Sequence, residues 1–304
     1  MFQDVFYWIF NMSITVAITG ALVMLIRLVK KIPRRLTVFL WIIPFFRMTF
    51  PVGLNSPYGL MSLLSEITTK TIVVYQPTDH IAFSMMNSVR VADTYFPLTY
   101  KVNLLENIFS VASVIWIIVL LIIILVLVVT YFTAIYEIKD LTHLKDNIYL
   151  SDKIVTPAVY GIINPKIILP AGYTDRDIEF IVLHEKTHIR SFDNLWRITA
   201  FLIVAIHWFN PLGWLFLKGF LADLELSCDE RVITKIGPDR AKDYASSLLE
   251  SRQCATVFVS AFGGAKIRTR IENILSFKKL TWFSFTAFVV LIGTIFFVLL
   301  TNAG

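Results

Sequence analysis

Four long apolar stretches recur along the chain, and more polar segments separate them. Each is long enough for a helix to cross a hydrocarbon core of about 30 Å, which takes about 20 residues. The stretches are residues 5–26, 36–54, 108–132 and 280–300. Arg47 is the one charged residue within them, and it marks either a functional group inside a span or a side chain that reaches toward the membrane interface. The pattern therefore predicts four transmembrane helices.

Basic residues give these spans an orientation. Five of them lie in the short connection after the first span, whereas no lysine or arginine precedes that span, so it is expected to be an anchor and not a cleaved signal peptide. They are Arg27, Lys30, Lys31, Arg34 and Arg35. Because connections rich in Lys and Arg stay in the cytoplasm, this one is expected inside the cell and the amino terminus outside. The prediction is a membrane domain over 1–132 with an outer loop at about 55–107, a cytoplasmic domain over 133–279, and a fourth span with a short outer tail over 280–304.

The cytoplasmic segment changes in character along its length. Between Tyr149 and Pro170, β-branched residues cluster among glycine and proline, which predicts two or three short strands. A fifth apolar stretch, residues 199–218, follows further on, but Asn210 and Pro211 interrupt it near its middle. We therefore expect a helical hairpin there and not another span. The predicted fold class is a mainly α membrane protein with a cytoplasmic α+β domain between the third and fourth spans.

The composition agrees with a membrane location. Hydrophobic residues make up 56% of the 304 residues, 25 are phenylalanine, and the mean hydropathy is +0.69, which together exceed what a soluble domain needs. The two cysteines lack CxxC spacing, so neither a disulfide framework nor a thiolate cluster is indicated.

One short motif carries candidate chemistry. His184, Glu185 and His188 form an HExxH pattern on a segment that predicts a helix. On a helix the two imidazoles lie one turn apart on the same face and can bind one zinc ion, while Glu185 lies beside the open coordination position as a general base. A lone histidine on such a helix is more often a buried core residue, but two histidines with Glu between them favour a metallohydrolase.

A third ligand is expected from the helix that returns from the hairpin. At a rise of about 1.5 Å per residue this helix reaches the level of the HExxH motif at Glu225, which makes Glu225 the favoured third ligand. Asp229 lies one turn further and is better placed to accept a hydrogen bond from a ligating imidazole, and Asp193 is a candidate for that role or for a helix cap. His207 is expected near the hairpin tip, too far from the metal. Cys228 is chemically able to bind zinc and would compete with Glu225.

Several segments together resemble one known family. HEKTHIRSFD, HWFNPLGW and DLELSCDERV, with TPAVYGIINPKIILP and FGGAKIRTRIENI, are similar to segments of the BlaR/MecR family of integral-membrane zinc metallopeptidases, the bacterial sensor-transducers of beta-lactam resistance. The resemblance implies a gluzincin-like site in which His184, His188 and Glu225 bind one Zn²⁺ and Glu185 is the base. It also implies signalling by proteolytic relief of a transcriptional repressor.

The family pattern raises two further expectations. Full sensors of the family continue after the last span into an extracellular penicillin-binding domain, whereas this sequence ends at Gly304, so we expect either a shortened part of such a sensor or a natural short form without that domain. Its input would then arrive as an extracellular ligand at the outer loop or through a sensor partner. The family counterpart of the segment before the last span is self-processed, and Ser276 and Phe277 offer a small residue followed by a large apolar one, although an ordinary amphipathic tether is the competing interpretation.

Partners and alternative functions follow from the same observations. The expected partners are membrane lipid and a cytosolic protein substrate such as a repressor, a homodimer is left open, and no direct binding of nucleic acid is expected. One alternative is an HtpX-like membrane quality-control protease, which shares HExxH and an acidic third ligand. The other is a zinc-bound membrane receptor without proteolytic activity, against which Glu185 weighs because a structural site needs no base.

Overall fold

A computed structural model describes most of the chain outside the predicted outer loop. The described residues are 2–29, 32–50, 55–56, 58, 104–137, 141–154, 156–161, 164–170, 175–250, 265–277, 282–300 and 302–303. These residues are predominantly helical and include one small sheet, as the sequence predicts.

The amino-terminal membrane segment forms three helices where the sequence predicts two. α1 covers Phe2–Arg27, α2 covers Arg34–Leu40 and α3 covers Ile42–Thr49. Pro44 explains the break between α2 and α3, because proline lacks an N–H and its ring clashes with the carbonyl four residues earlier. A two-residue strand, β1 (Asn55–Ser56), follows.

The next helix, α4 (Leu104–Glu137), is apolar over most of its length. Its segment Ile108–Tyr136 and the whole of α1 are each long and apolar enough to cross a membrane, and they coincide with two of the four predicted spans. Half of the most apolar part of α1 is buried inside the protein, whereas only 11% of the corresponding part of α4 is buried. α4 therefore presents an apolar surface to its surroundings.

A four-stranded sheet follows α4. Its strands are β2 (Thr142–Lys145), β3 (Ile148–Ser151), β4 (Ala158–Tyr160) and β5 (Lys166–Pro170), in the spatial order β2-β3-β5-β4. β3 and β5 are parallel, whereas both outer strands are antiparallel to their neighbours. β3, β4 and β5 lie where the sequence predicts two or three strands, and β2 is an addition.

The sheet packs on the next helix, α5 (Asp175–Arg190), which carries the HExxH motif. Ile148, Ile167 and Leu169 are buried together with Ile181 of α5. This contact explains why the β-branched segment precedes the motif in the chain: it supplies the apolar layer on which the motif helix rests.

The predicted helical hairpin is confirmed. α6 covers Asp193–Ile206 and α7 covers Pro211–Ile236, with the turn between them at residues 207–210. The side chain of Asn210 accepts a hydrogen bond from the backbone N–H of Leu212 and caps α7, and Pro211 occupies the first helical turn, where its missing N–H costs nothing.

α7 lies alongside α1 in a constant register. The Asn210 side chain donates to the carbonyl of Ser13 near the amino end of the contact, and Arg27 pairs with Asp223 at its other end. Partners at both ends are separated by 196 or 197 residues in the chain, so the two helices run in parallel over about 14 residues, or about 21 Å. The hairpin tip therefore lies beside the middle of α1, and Asp223 lies beside the carboxyl end of α1.

The remaining elements follow α7 in the chain. They are a 3₁₀ turn (Pro238–Arg240), α8 (Ala241–Glu250), α9 (Ile267–Leu275), α10 (Trp282–Leu300) and the short strand β6 (Asn302–Ala303), which pairs in parallel with β1. Within α10, the segment Thr286–Leu300 is apolar but shorter than a full span. α8 and α9 pack against α5 and α7 around a core that includes Phe180, Tyr244 and Ile274.

Candidate metal centre

The two histidines of the motif form a buried pair on α5. His184 and His188 are 6% and 4% exposed, and their Nε2 atoms lie 3.1 Å apart with the rings nearly perpendicular. Their four-residue spacing on one helix face produces this approach. Both imidazoles therefore direct the same nitrogen toward one point.

The second nitrogen of His188 meets a buried carboxylate. Asp193 Oδ2 lies 2.6 Å from His188 Nδ1, and the Asp193 side chain is also paired with Arg231 at 3.7 Å. Because an ionised carboxylate only accepts, the proton of a neutral His188 resides on Nδ1 and leaves the Nε2 lone pair free for a metal. Asp193 is in the first turn of α6, so the sharp junction after α5, where Phe192 has φ of 55°, turns it back toward the motif.

The second nitrogen of His184 meets a hydroxyl instead. Tyr244 Oη lies 2.8 Å from His184 Nδ1 and donates to Asp229 Oδ1 at 2.7 Å, whereas Asp229 itself is 3.5 Å from His184 Nδ1. Asp229 was predicted as a direct acceptor, but the structure inserts Tyr244 between the two groups. Tyr244 carries no sequence signal for this role, because a tyrosine on an amphipathic helix is usually a core residue.

Glu225 faces the Nε2 atoms of both histidines. Its oxygens lie 3.7 Å from His184 Nε2 and 3.6 Å from His188 Nε2. Arg197 and Arg270 also contact this carboxylate, at 2.5 and 3.4 Å. Two ligand atoms that each lie about 2.0 to 2.1 Å from a tetrahedral zinc ion are about 3.3 Å apart, so the 3.1 Å between the two Nε2 atoms fits one ion. The two Glu225 contacts join different oxygens, Oε2 to His184 and Oε1 to His188, and each is a few tenths of an ångström longer than this spacing.

Cys228 offers a different donor set. Ligand atoms of His184, His188 and Cys228 all lie within 4.8 Å of one another, so these residues also form a group that could hold a metal. The thiol, however, lies 3.5 Å from His184 Nδ1, the nitrogen already bonded to Tyr244. Glu225 instead faces the Nε2 atoms of both histidines.

Charge at this centre shifts pKa values in opposite directions. Burial lowers the pKa of the His188 imidazole, but Cys228 and Glu225 raise it by more, to about 9. Burial also lowers the pKa of His184, and Cys228 and Glu225 again outweigh it, leaving that pKa well above its usual value. Burial raises the pKa of the Glu225 carboxyl, yet His188 and Arg197 hold it well below its usual range. Protons on the imidazoles thus compete with a metal cation.

The other predicted residues are placed as follows. Glu185 follows His184 on α5 and is partly exposed. His207 is buried in the turn at the hairpin tip, at the opposite end of α6 from the motif, in agreement with the sequence. Ser276 and Phe277 follow the last residue of α9, where the Ser276 hydroxyl donates to the Glu272 carbonyl at 2.6 Å.

An HExxH helix whose histidines are oriented by Asp193 and Tyr244 and faced by Glu225 is typical of a metallopeptidase. The family model of the BlaR1 peptidase M56 matches residues 7–274, and the chain belongs to this family of metallopeptidases. The resemblance to BlaR/MecR proteins found in the sequence is thereby confirmed.

Individual relatives match over shorter regions. The chain is 27% identical to the regulatory protein BlaR1 of Bacillus licheniformis over 146 residues, which are 45% of this chain and 24% of that protein. It is 30% identical to the methicillin resistance mecR1 protein of Staphylococcus aureus over 104 residues, which are 33% of this chain and 18% of that protein. The aligned region thus spans less than a quarter of the length of each relative.

Proposed function

We propose that the chain is an integral-membrane zinc metallopeptidase that transmits a signal by cutting a cytosolic protein. The observation that carries the proposal is the convergence of His184 Nε2, His188 Nε2 and the Glu225 carboxylate, with Glu185 beside them on the motif helix. Three ligands that include one carboxylate are the donor set of a catalytic zinc site, which keeps a position open for water or substrate.

The chemistry divides between the ion and the side chains. A zinc ion at this centre would supply a Lewis acid that polarises the scissile carbonyl and lowers the pKa of water. Glu185 accepts a proton from the attacking water and later donates it to the leaving amine. Asp193 and Tyr244 hold a proton on the Nδ1 atoms of His188 and His184, which keeps both Nε2 lone pairs directed at the centre.

The edge of the sheet is the proposed place for the substrate backbone. β4 is an outer strand of the sheet and contacts α5, and Asn194 of α6 donates to the carbonyl of Val159 in β4 at 3.3 Å. A peptide that added to this edge as an extra strand would gain main-chain hydrogen bonds and lie along the motif helix. Alternatively, the sheet serves only to support α5.

The membrane arrangement is part of the proposal. Four spans, with both termini outside and the zinc domain in the cytoplasm, account for the basic connection after α1. Asp223 is paired with Arg27 at the carboxyl end of α1, and Glu225 follows Asp223 by two residues, or about 3 Å along α7. The metal centre would therefore lie close to the inner face of the membrane, where the α6–α7 hairpin enters it.

The signalling role is proposed from the relatives. These relatives are a regulatory protein and a methicillin resistance protein, and we propose by analogy that a cytosolic repressor is the substrate here. The inducing signal would reach the zinc domain through the spans, from an extracellular ligand or a sensor partner.

Self-cleavage between Ser276 and Phe277 is a further part of the proposal. The Phe277 ring lies 5.8 Å from the Arg35 guanidinium and packs beside the core of α5, α7 and α8, so the end of α9 must leave this position before it can enter an active site. Mass spectrometry of protein stored in membranes should show a fragment ending between 271 and 279. If no such fragment forms, or if it forms equally in Glu185→Gln, self-cleavage is wrong.

The test of the main proposal uses two variants of the same helix. Glu185→Gln should retain zinc but lose about 10²- to 10⁴-fold in cleavage of cytosolic proteins, because it removes the general base and leaves the ligands intact. Glu179→Gln is the matched control, since Glu179 lies on α5 but is exposed and paired with Arg240. New protein termini produced in membrane preparations are measured by mass spectrometry, with zinc measured by elemental analysis.

The outcomes separate the candidate functions. The proposal would be supported by new cleavage termini in cytosolic regulators that form with the parent chain and with Glu179→Gln but not with Glu185→Gln. Termini mainly in damaged membrane proteins would favour an HtpX-like quality-control protease. Signalling that survives Glu185→Gln unchanged, with zinc bound, would instead indicate a receptor without proteolytic activity.

A further inference from the structure

Arg270 of α9 connects three acidic or metal-binding groups of the centre. The side chain is 8% exposed, and its Nε and Nη2 atoms donate to the two oxygens of Asp229 at 2.8 and 2.7 Å. The same guanidinium lies 3.4 Å from Glu225 Oε2 and 3.3 Å from His184 Nε2. A forked, buried Arg–carboxylate pair of this kind fixes the orientation of both partners.

Tyr244 of α8 extends this arrangement to His184. Its hydroxyl has one proton, and the Asp229 oxygens accept hydrogen bonds from both Tyr244 and Arg270. Tyr244 therefore donates to Asp229 Oδ1 and accepts from the His184 Nδ1–H, across contacts of 2.7 and 2.8 Å. The direction of these two bonds fixes the tautomer of His184 in which Nε2 carries the lone pair, the atom that Arg270 Nη2 also approaches to 3.3 Å.

The two histidines are thus oriented in different ways. His188 is bonded directly to Asp193, which belongs to the neighbouring α6. His184 depends on a chain of groups that begins with Arg270 on α9 and passes through Asp229 and Tyr244. Because α9 ends at Leu275 and α10 begins at Trp282, one half of the metal centre depends on the segment that leads to the last helix.

We propose that Tyr244 and Arg270 are positioning residues for zinc binding, acting through His184, Asp229 and Glu225, and that seating of α9 is required for a competent centre. This inference rests on the proposed zinc site. It goes beyond the predicted ligand set, because it makes zinc affinity depend on residues far from the HExxH motif in sequence.

The test measures zinc affinity and not activity alone. The full chain is purified in lipid nanodiscs, stripped of metal, and titrated with Zn²⁺ against a coloured chelator of known affinity. Tyr244→Phe should lower zinc affinity by about 10- to 100-fold, the usual effect of removing a group that orients a ligating imidazole. Arg270→Gln should give a loss in the same range, and Arg270→Lys should recover only part of it, since an ammonium cannot form the forked contact with Asp229.

Two comparisons separate positioning from general stability. Arg268→Gln is the matched control, because Arg268 lies two residues away on α9 but its side chain is 88% exposed and pairs with Glu272 of the same helix. It should bind zinc as the parent chain does. The visible absorption of bound Co²⁺ should also change in Tyr244→Phe, because the donor strength of His184 changes, whereas a loss of stability alone would leave the spectrum of the folded protein unaltered.

The failures of this inference and of the proposed function can be told apart. If the parent chain binds zinc and folded Tyr244→Phe and Arg270→Lys bind it equally tightly with the parent Co²⁺ spectrum, the positioning role is wrong and the zinc site stands. If the parent chain itself binds no zinc, the proposed function is wrong as well. Should Arg270→Gln not fold, Tyr244→Phe, which removes a single oxygen atom, still decides the outcome.

Discussion

Replacement of Asp223 should destabilise the junction of α1 and α2 with α7. Asp223 is fully buried on α7, and both of its oxygens accept hydrogen bonds from Arg27 Nε, at 2.9 and 2.8 Å. The indole N–H of Trp41 donates to the same carboxylate at 2.8 Å. One side chain therefore joins α1 and the end of α2 to α7, two residues before Glu225.

The expected magnitude follows from the groups that Asp223→Ala leaves behind. Removing one partner of a buried ion pair typically costs about 3 to 5 kcal/mol, because the other charge stays uncompensated. The Arg27 side chain is 23% exposed and can regain some water, which favours the lower end, while the Trp41 N–H loses its buried acceptor at a cost of about 1 to 3 kcal/mol. We expect a loss of about 4 kcal/mol in the free energy of unfolding.

The assay is denaturant unfolding of the full chain in mixed micelles, followed by tryptophan fluorescence. Asp239→Ala is the control, because Asp239 is exposed in the 3₁₀ turn and its loss should change stability by less than about 0.5 kcal/mol. The double variant Asp223→Leu with Arg27→Met should recover much of the loss, since replacing both partners of a buried pair with apolar groups is often close to neutral. If Asp223→Ala unfolds at the same denaturant concentration as Asp239→Ala, the reasoning about this junction is wrong.

Three further predictions use independent observations. Tyr58 is 79% exposed, and Tyr58→Cys should react with a membrane-impermeant thiol reagent on intact cells, whereas Lys145→Cys, at another exposed position, should not. The reverse pattern would overturn the proposed membrane topology. Gly20→Ala should lower the free energy of unfolding by about 1 to 3 kcal/mol, because the new Cβ on α1 would lie 2.1 Å from the Phe216 ring on α7. An unchanged unfolding curve would show that α1 and α7 can move apart. The pKa of His188 is raised to about 9 in the folded state, so protonated His188 should stabilise the metal-free protein below about pH 6.5, and this stabilisation should be lost as pH rises through about 9. Zinc affinity should rise over the same interval, because protons and zinc compete for the imidazole. Calorimetry and zinc titrations that show no such pH dependence would contradict the raised pKa of His188.

The helical parts of the fold could be predicted from the sequence because their signals are local. The first and third apolar stretches correspond to helices of spanning length, and the Asn210–Pro211 pair marks the turn of the hairpin. Pro44 carried an equally local signal for the break between α2 and α3, but hydropathy alone does not register it. The predicted outer loop lies largely outside the described residues, so its position stays a prediction.

The site could be predicted only where its geometry follows from one element. His184 and His188 share a helix face, and their approach follows from helical periodicity. Arg270 illustrates the opposite case: it lies two residues from Arg268 in a charged helix, yet one side chain is buried against Asp229 and the other is exposed. Only tertiary packing distinguishes them, and the same holds for Tyr244, whose hydroxyl finds its partners on two other helices.

The identity of the third zinc ligand is the central claim about the metal centre. Glu225→Ala and Cys228→Ser change the two competing donors, which lie one turn apart on α7, and Asp239→Ala again serves as the control. Zinc per chain is measured by elemental analysis after dialysis against a weak chelator. We expect about one zinc in the parent chain, in Cys228→Ser and in the control, and a large loss in Glu225→Ala, because the carboxylate supplies the negative charge that balances the cation. Full zinc in Glu225→Ala together with loss in Cys228→Ser would contradict the proposed centre and assign the third position to the thiolate.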